Sequence, residues 1–452
     1  MGTEIEIEIA FLNILFYLKS NKSMAYNIFS GSAPAMPKPG KGTEIIRLIT
    51  SQVSPEMREA IAPMPFSALA SHLQGVKVMY SSNRFLELHG QINHFIAASG
   101  TGKDQLDKIV ESICRSFRAH DEIEMKKLSA WQSKPKKERE KSTRPEVAIF
   151  FPPADTTKPA FIQNAMACQK EDEHAQYFNQ PEVEMLDGLC GGRKASGQML
   201  INIHDVKRVG ALRATAEGVT GNPVMRANIN ISSTEEAARE YYKRDIRTGK
   251  TGRVSFAYKP RGERKGKIPR EGAYDESFLA KMDVYLERLD NTKGNFIIKP
   301  LNKIADQLAM EMAKIGDLAD DDTLFELSHR CILAAWKKGA MLWLLNNQTW
   351  TRSIGEFVVW FCYFDLWSKM KVLGDMFKPK TTTEDVQKSG PRNMLMSLGN
   401  SFSQAELEAL RAQMDKPVEG AKHQLSVWVN RGFITYSAQT GLYTKTNEYL
   451  NN

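Results

Sequence analysis

The sequence predicts an α/β core followed by a helical region and a C-terminal winged helix, and three observations lead there. Between His94 and Tyr258, short apolar runs alternate with helical stretches, the pattern of strands joined by crossover helices in a parallel sheet. From Glu276 to about Phe377 the hydrophobic spacing turns helical. Residues 400–452 then spell helix, turn, helix and hairpin in that order.

Length and charge bound the reading. A chain of 452 residues is long enough for two or three domains, and 61 lysines and arginines against 53 acids give a formal charge of +8, which suits a polyanionic partner. The cysteines Cys114, Cys168, Cys190, Cys331 and Cys362 stand far apart without a CxxC pair. That spacing argues against a zinc ribbon or a disulfide framework and for a reducing, cytoplasmic compartment. The apolar run from Ile9 to Leu18 follows acids where a secretory signal needs positive charge, and it is too short to span a bilayer. Met24 is an alternative start, and no membrane partner is expected. Composition shifts divide the chain into an N-terminal extension and linker (1–59), the core (60–275), the helical region (276–378), a linker (379–399) and the winged helix (400–452).

Within the core, "HFIAAS", "EVAIFFPPA", "QMLINIHD", "VMRANINIS" and "RVSFAY" read as strands. Two basic stretches, Lys126–Arg144 and Lys259–Gly272, read either as solvated surface or as loops that contact nucleic-acid phosphates. Trp336, Trp343, Trp350, Trp360 and Trp367 lie in long apolar stretches and are expected in the core. In the tail, Ser403 and Glu406 form a capping box, Leu407, Leu410 and Met414 share one helix face, and Leu425, Trp428 and Val429 share another. "FITYSAQTGLYTKT" follows as a hairpin with a glycine turn. The second helix of a winged helix enters a DNA groove, and such units also mediate protein contacts.

The stretch that carries chemistry is "HFIAASGTGKDQL", an apolar strand, a glycine loop and a helix start. A phosphate-binding loop needs inward-pointing N–H groups, a lysine for the β and γ phosphates, and a metal-holding hydroxyl. Ser99, Gly100, Thr101, Gly102, Lys103, Asp104 and Gln105 are therefore the candidate nucleotide-binding residues of a P-loop NTPase core (RecA/AAA+-like). Leu106, Ile109, Val110, Ile113 and Phe117 give the following helix one buried face, so its N-terminal dipole favours an anion at the loop. Two positions depart from GxxxxGK[ST]: Ala97 replaces the first glycine, and Asp104 replaces the hydroxyl residue. A carboxylate there is a possible Mg2+ ligand but also a repulsive neighbour for phosphate.

Hydrolysis needs an acid at a strand end to hold the metal and polarise water. Glu182 in "QYFNQPEVEMLDGL", with Glu184 and Asp187 close behind, and Asp205 at the end of "QMLINIHD" both qualify. Asn230, Ser232, Ser233 and Thr234 supply polar groups for sensing a γ phosphate, and Arg244, Arg247 and Arg253 are candidates for stabilising transition-state charge at a neighbouring subunit's site, as in ring ATPases.

In this order, "SGTGKDQL", "PEVAIFFPPADTTKPAFIQN", "YFNQPEVEML", "HDVKRVGALRAT", "RANINISST" and "GKTGRVSF" resemble the P-loop ATPase module of primase-helicase-like proteins from phages and mobile elements, common in the Bacteroides group. The resemblance covers about residues 60–375. It implies an ATP- and Mg2+-dependent helicase or primase-associated ATPase in DNA replication, acting as a homo-oligomeric ring on single-stranded DNA or a fork, with any primase a separate protein, in the bacterial host cytoplasm. By motif position it implies catalytic roles for Lys103, Glu182, Asn230 (sensor) and Arg253 (finger) and supporting roles for Asp205 and Arg213; Asp104, Glu182 and Asp205 are the carboxylates expected to contact the metal. The alternative is a DNA-binding regulator or replication initiator that keeps the loop as a non-hydrolysing scaffold.

Overall fold

A computed structural model of the chain describes residues 32–81, 83–212, 218–243, 249–262, 272–319, 322–377, 394–414 and 416–446. Among them no helix is long and apolar enough to cross a membrane. The chain enters through α1 (Glu44–Ser51), whose Ile45, Ile46 and Ile49 are buried in the main core, then α2 (Arg58–Ile61) and the fully buried α3 (Phe66–Ala70). Trp360 Nε1 donates to Pro34 O at 2.9 Å. Residues 32–59 are thus part of the main body, not the separate extension that their glycine and proline content predicts.

A hairpin of β1 (Val76–Tyr80) and β2 (Arg84–Glu87) precedes β3 (Ile92–Ala97). Then come α4 (Asp104–Ile113), α5 (Arg115–Gln132), α6 (Lys136–Glu140), α7 (Lys158–Lys170), β4 (Gln176–Gln180), α8 (Met185–Cys190) and α9 (Arg193–His204). The core closes with β5 (Ala227–Ser233), α10 (Glu235–Tyr242), α11 (Lys250–Arg253) and β6 (Ser255–Lys259). Strands β3 to β6 form a parallel sheet in the order β4-β5-β3-β6. Every residue of β3 and β5 is buried, as a sheet covered on both faces requires. One face meets α3, where Ser67 Oγ donates to Asn230 Oδ1 at 2.6 Å. The other packs on α7 and α10, through Phe161 against Phe178 and His94 against Tyr242.

Two expected strands are not strands. Residues 146–153 run beside β4 with one backbone bond to it among the described residues, from Tyr177 N–H to Phe150 O at 2.8 Å. Side chains satisfy much of the rest: the Asp121 carboxylate accepts from Phe150 and Phe151 N–H at 2.7 Å each, and the Asn164 amide takes both the N–H and the C=O of Ile149. The outer edge is closed by side-chain groups in place of a further strand. "QMLINIHD" forms the end of α9, with Asp205 as its C-cap. Met199, Leu200 and Ile203 are buried at helical spacing, which the short apparent alternation concealed.

The helical region comprises α12 (Glu276–Asp290), α13 (Lys299–Ala319), α14 (Asp322–Leu345) and α15 (Arg352–Leu373). Between α12 and α13, β7 (Gly294–Phe296) pairs parallel to β1 and completes a second sheet, β2-β1-β7. Trp336, Trp360 and Trp367 are buried, whereas Trp343 and Trp350 pack at the core's rim. Helix α15 shields the open edge of the central sheet: Asp365 Oδ1 accepts from Phe256 N–H at 2.7 Å and Ser368 Oγ from Tyr258 N–H at 3.1 Å. One apolar core therefore runs through both the α/β and the helical parts.

The tail contains α16 (Met394–Ser397), β8 (Ser401–Phe402), α17 (Gln404–Gln413), α18 (Ala421–Asn430), β9 (Ile434–Ser437) and β10 (Leu442–Lys445). Its antiparallel sheet has the order β8-β10-β9, and the Ser403–Glu406 capping box is formed. Met394, Leu395 and Leu398 join Phe402, Leu407, Leu425, Trp428 and Ile434 in a small core, so the unit begins inside the expected 379–399 linker. Helix α18 also packs on α13 through the side that carries Val427, while Val429 is exposed, not buried beside Leu425 and Trp428.

Candidate phosphate-binding site

Residues 98–103 join the carboxyl end of β3 to α4. Gly100 (φ +72°) and Gly102 (φ +84°) adopt left-handed backbone that other residues occupy only with strain. A Cβ at Gly100 would meet nothing within 4 Å, so the space in front of the loop is open. Thr101 Oγ1 closes the turn by donating to Ala98 O at 2.8 Å. Among the described residues, the backbone N–H groups of Ser99 to Lys103 have no hydrogen-bond partner. Together with the N-terminus of α4 they form an array of donors suited to an oxyanion. Lys103 is half-buried, Asp104 is exposed, and neither makes an ion pair among the described residues. Leu106, Ile109, Val110 and Ile113, all 0% exposed, lock α4 in place.

Gln105 does not belong to this array. Its side chain is buried and its Oε1 accepts from Ser54 N–H at 2.9 Å, tying the start of α4 to the segment before α2. The nucleotide-binding expectation for Gln105 is corrected accordingly.

Register decides what lies beside the loop. Ile96 pairs with Ser233, and Gln180 pairs with Ile231. Glu182, exposed two residues past β4, is therefore level with Ile96 and two strands away, about 10 Å at the usual strand spacing. On the other flank Lys259 is level with Ala97. Beside it opens a cavity of about 440 Å³ lined by Glu56, Glu59, Tyr258, Lys259, Trp367 and Lys371.

Beneath the loop lies a residue that motif reading missed. His94 Nε2 is 2.8 Å from Ser233 Oγ and Nδ1 is 3.0 Å from Tyr242 OH. Burial, and then the nearby Lys103 ammonium, push its pKa down to about 3, so the imidazole is neutral. Ser233 Oγ donates to Thr234 O, leaving it to accept from His94 Nε2–H. Thr234 in turn caps α10 by accepting from Ala237 N–H at 3.2 Å. Asn179, near the end of β4, donates to Asp107 Oδ1 at 2.8 Å. Burial raises the Asp107 pKa, with Asn179 opposing it and Asp104 and Glu111 adding to it. The signal for both was a polar side chain inside a buried strand, His94 in the middle of β3 and Asn179 next to last in β4.

Other expected site residues are elsewhere. Asn230 is level with Asn93, about 13 Å below the end of β3, and is buried against Ser67. It is too deep to sense a phosphate at the loop. Asp205 caps α9 at the opposite, amino end of the sheet, where a Cβ on Gly90 would stand 2.5 Å from His204 O. It accepts from His204 Nδ1 at 2.8 Å, Lys207 Nζ at 3.0 Å and Arg253 Nε at 3.4 Å. Burial pushes its carboxyl up, but these donors outweigh burial and hold it well below the usual carboxylate range. The length of β3 puts Asp205 and its partner Arg253 about 20 Å from the loop, which corrects the metal role of Asp205; a finger acts on a neighbouring subunit's loop, to which this distance does not apply. Among the described residues no group of three acids, histidines or cysteines is poised for a metal. Arg213, Arg244 and Arg247 lie outside the described residues.

No family model matches the chain, and no curated protein matches it.

Proposed function

We propose that this protein binds a nucleoside triphosphate, ATP with Mg2+, at residues 99–104 and hydrolyses it while acting on DNA. The observation that carries the reading is the left-handed glycine loop with unpaired N–H groups at the carboxyl end of β3. There the chain turns first to β4 and β5 on one side and then to β6 on the other, the switch point where α/β sheets bind ligands. Lys103 would contact the terminal phosphates. Asp104 and Glu182 supply carboxylates for Mg2+, whose role is to neutralise phosphate charge. Glu182, at the level of the loop and free of ion pairs among the described residues, is the acid available to orient water. The cavity beside Lys259 offers room for the base.

In this reading the sheet is a P-loop NTPase core and the tail is a winged helix, supported by its order of helices and strands. The activity is that of a helicase or primase-associated ATPase in replication of a phage or mobile element, working as a ring with a separate primase. The displacement of Asn230 and Asp205 from the loop, with Asp104 in the hydroxyl position, favours a second reading: a DNA-binding regulator or initiator with a non-hydrolysing loop.

Mg2+-dependent ATP turnover with and without single-stranded DNA, on wild type, Lys103→Ala and Asp104→Ser, separates the two. DNA-stimulated turnover abolished by Lys103→Ala supports the ATPase. Wild-type turnover equal to that of Lys103→Ala overturns it, and turnover gained only in Asp104→Ser selects the scaffold.

A further inference from the structure

We propose that the arm built from α5 and α6 is a limb that grips the phosphate backbone of nucleic acid, with Lys134, Lys137 and Lys141 as its contacts. The proposal rests on the DNA part of the function above, not on the nucleotide site. Its first observation is shape. Helix α5 is anchored at its root by Phe117 and Asp121, but between Glu122 and Val147 no residue is buried. From Asp121 to Gln132 the helix extends about 17 Å from the body. Ordering a helix costs about 1–2 kcal/mol per residue, and here no core offsets it. Local contacts hold the turn: Trp131 Nε1 donates to Ser142 Oγ at 3.0 Å, and the Arg139 guanidinium lies 6.0 Å above the Trp131 ring.

The second observation is how charge is distributed. Along the shaft, acids and bases pair off: Lys126 with Glu122 at 2.8 Å and Lys127 with Glu124. Toward the tip, Lys136 pairs with Glu140 at 3.9 Å. Lys134, Lys137 and Lys141 are exposed and make no ion pair among the described residues, with Glu138 the one acid left near them, whereas Arg144 sits back at the body beside Ile149 and Asn164. Uncompensated cations at the end of the limb, next to a half-buried tryptophan under an arginine, suit a polyanion whose bases can stack. The exposed apolar residues Ile123 and Met125 lie back on the shaft, so the tip itself lacks the apolar anchor of a protein interface.

Fluorescence anisotropy with a labelled single-stranded oligonucleotide, without ATP, tests the limb across about 50 to 200 mM salt. The triple variant Lys134→Gln, Lys137→Gln, Lys141→Gln is expected to bind roughly tenfold or more weakly, with the slope of log K against log salt reduced by about two. Its melting temperature should match wild type because the arm lies outside the core. Ile123→Ser with Met125→Ser should leave affinity intact; weakening there comparable to the triple variant would indicate a protein-binding shaft and overturn the proposal. A triple variant with wild-type affinity and slope, or a wild type that does not bind, also overturns it. If the limb variant loses DNA while wild type and Lys103→Ala hydrolyse ATP equally, the nucleotide reading fails and the limb stands.

Discussion

Replacing Lys369 by methionine tests how the edge of the central sheet is closed. Lys369 Nζ lies 3.0 Å from Asp365 Oδ2, with the two side chains 1% and 0% exposed, and Asp365 Oδ1 holds the N–H of Phe256 in β6. Burial works against the ammonium, but Asp365 and then the Cys331 thiol outweigh it and raise the Lys369 pKa. Lys369→Met strands a carboxylate in the core, and removing one partner of a buried pair costs about 3–5 kcal/mol. The double variant Asp365→Asn with Lys369→Met removes both charges yet leaves an amide oxygen for Phe256 N–H, so it should cost about 1–2 kcal/mol. Because the folded pKa is raised, the lysine's contribution is complete below its unfolded pKa and is lost only as pH rises through the folded value, so the penalty should be constant from about pH 6 to 9. Urea unfolding followed by tryptophan fluorescence reads all three proteins. A single variant within about 0.5 kcal/mol of wild type, or a double variant as unstable as the single, would refute the account of α15 as an edge cover held by this pair.

Two further predictions follow from the amino end of the sheet. Burial pushes Lys338 down to about 7, with Asp365 opposing, while its unfolded value is 10.5. The unfolded chain therefore binds the extra proton above pH 7, and wild-type stability should rise relative to Lys338→Met by about 1.4 kcal/mol per pH unit between pH 7 and 9; denaturant curves at three pH values in which the difference stays flat would contradict this. Asp205→Ala should lower the melting temperature, because His204, Lys207 and Arg253 lose their shared acceptor, and should leave the affinity for a fluorescent ATP analogue unchanged. An affinity loss matching that of Lys103→Ala would return Asp205 to the site.

What the sequence by itself determined is local. Gly100 and Gly102 take left-handed φ in the loop and Ser403 with Glu406 caps a helix, each the work of a few neighbouring residues, whereas the single helix face expected from Leu106 to Phe117 stops at Ile113, with Phe117 on α5 beyond Cys114. Where the local signal was short it failed: four residues of alternation around Ile203 suit a strand as well as a helix, and burial against the body selected α9. The apolar run at 147–151 had the composition of a strand, but Asp121 and Asn164, distant in sequence, took its backbone groups. Only tertiary structure decided the site. Strand order and register placed Glu182 level with the loop, sank Asn230 beneath it, put His94 between Ser233 and Tyr242, and carried Asp205 and Arg253 to the far end. Pairing of strands depends on contacts between residues far apart in the chain, and the periodicity of any one segment is the same whichever neighbour it finds.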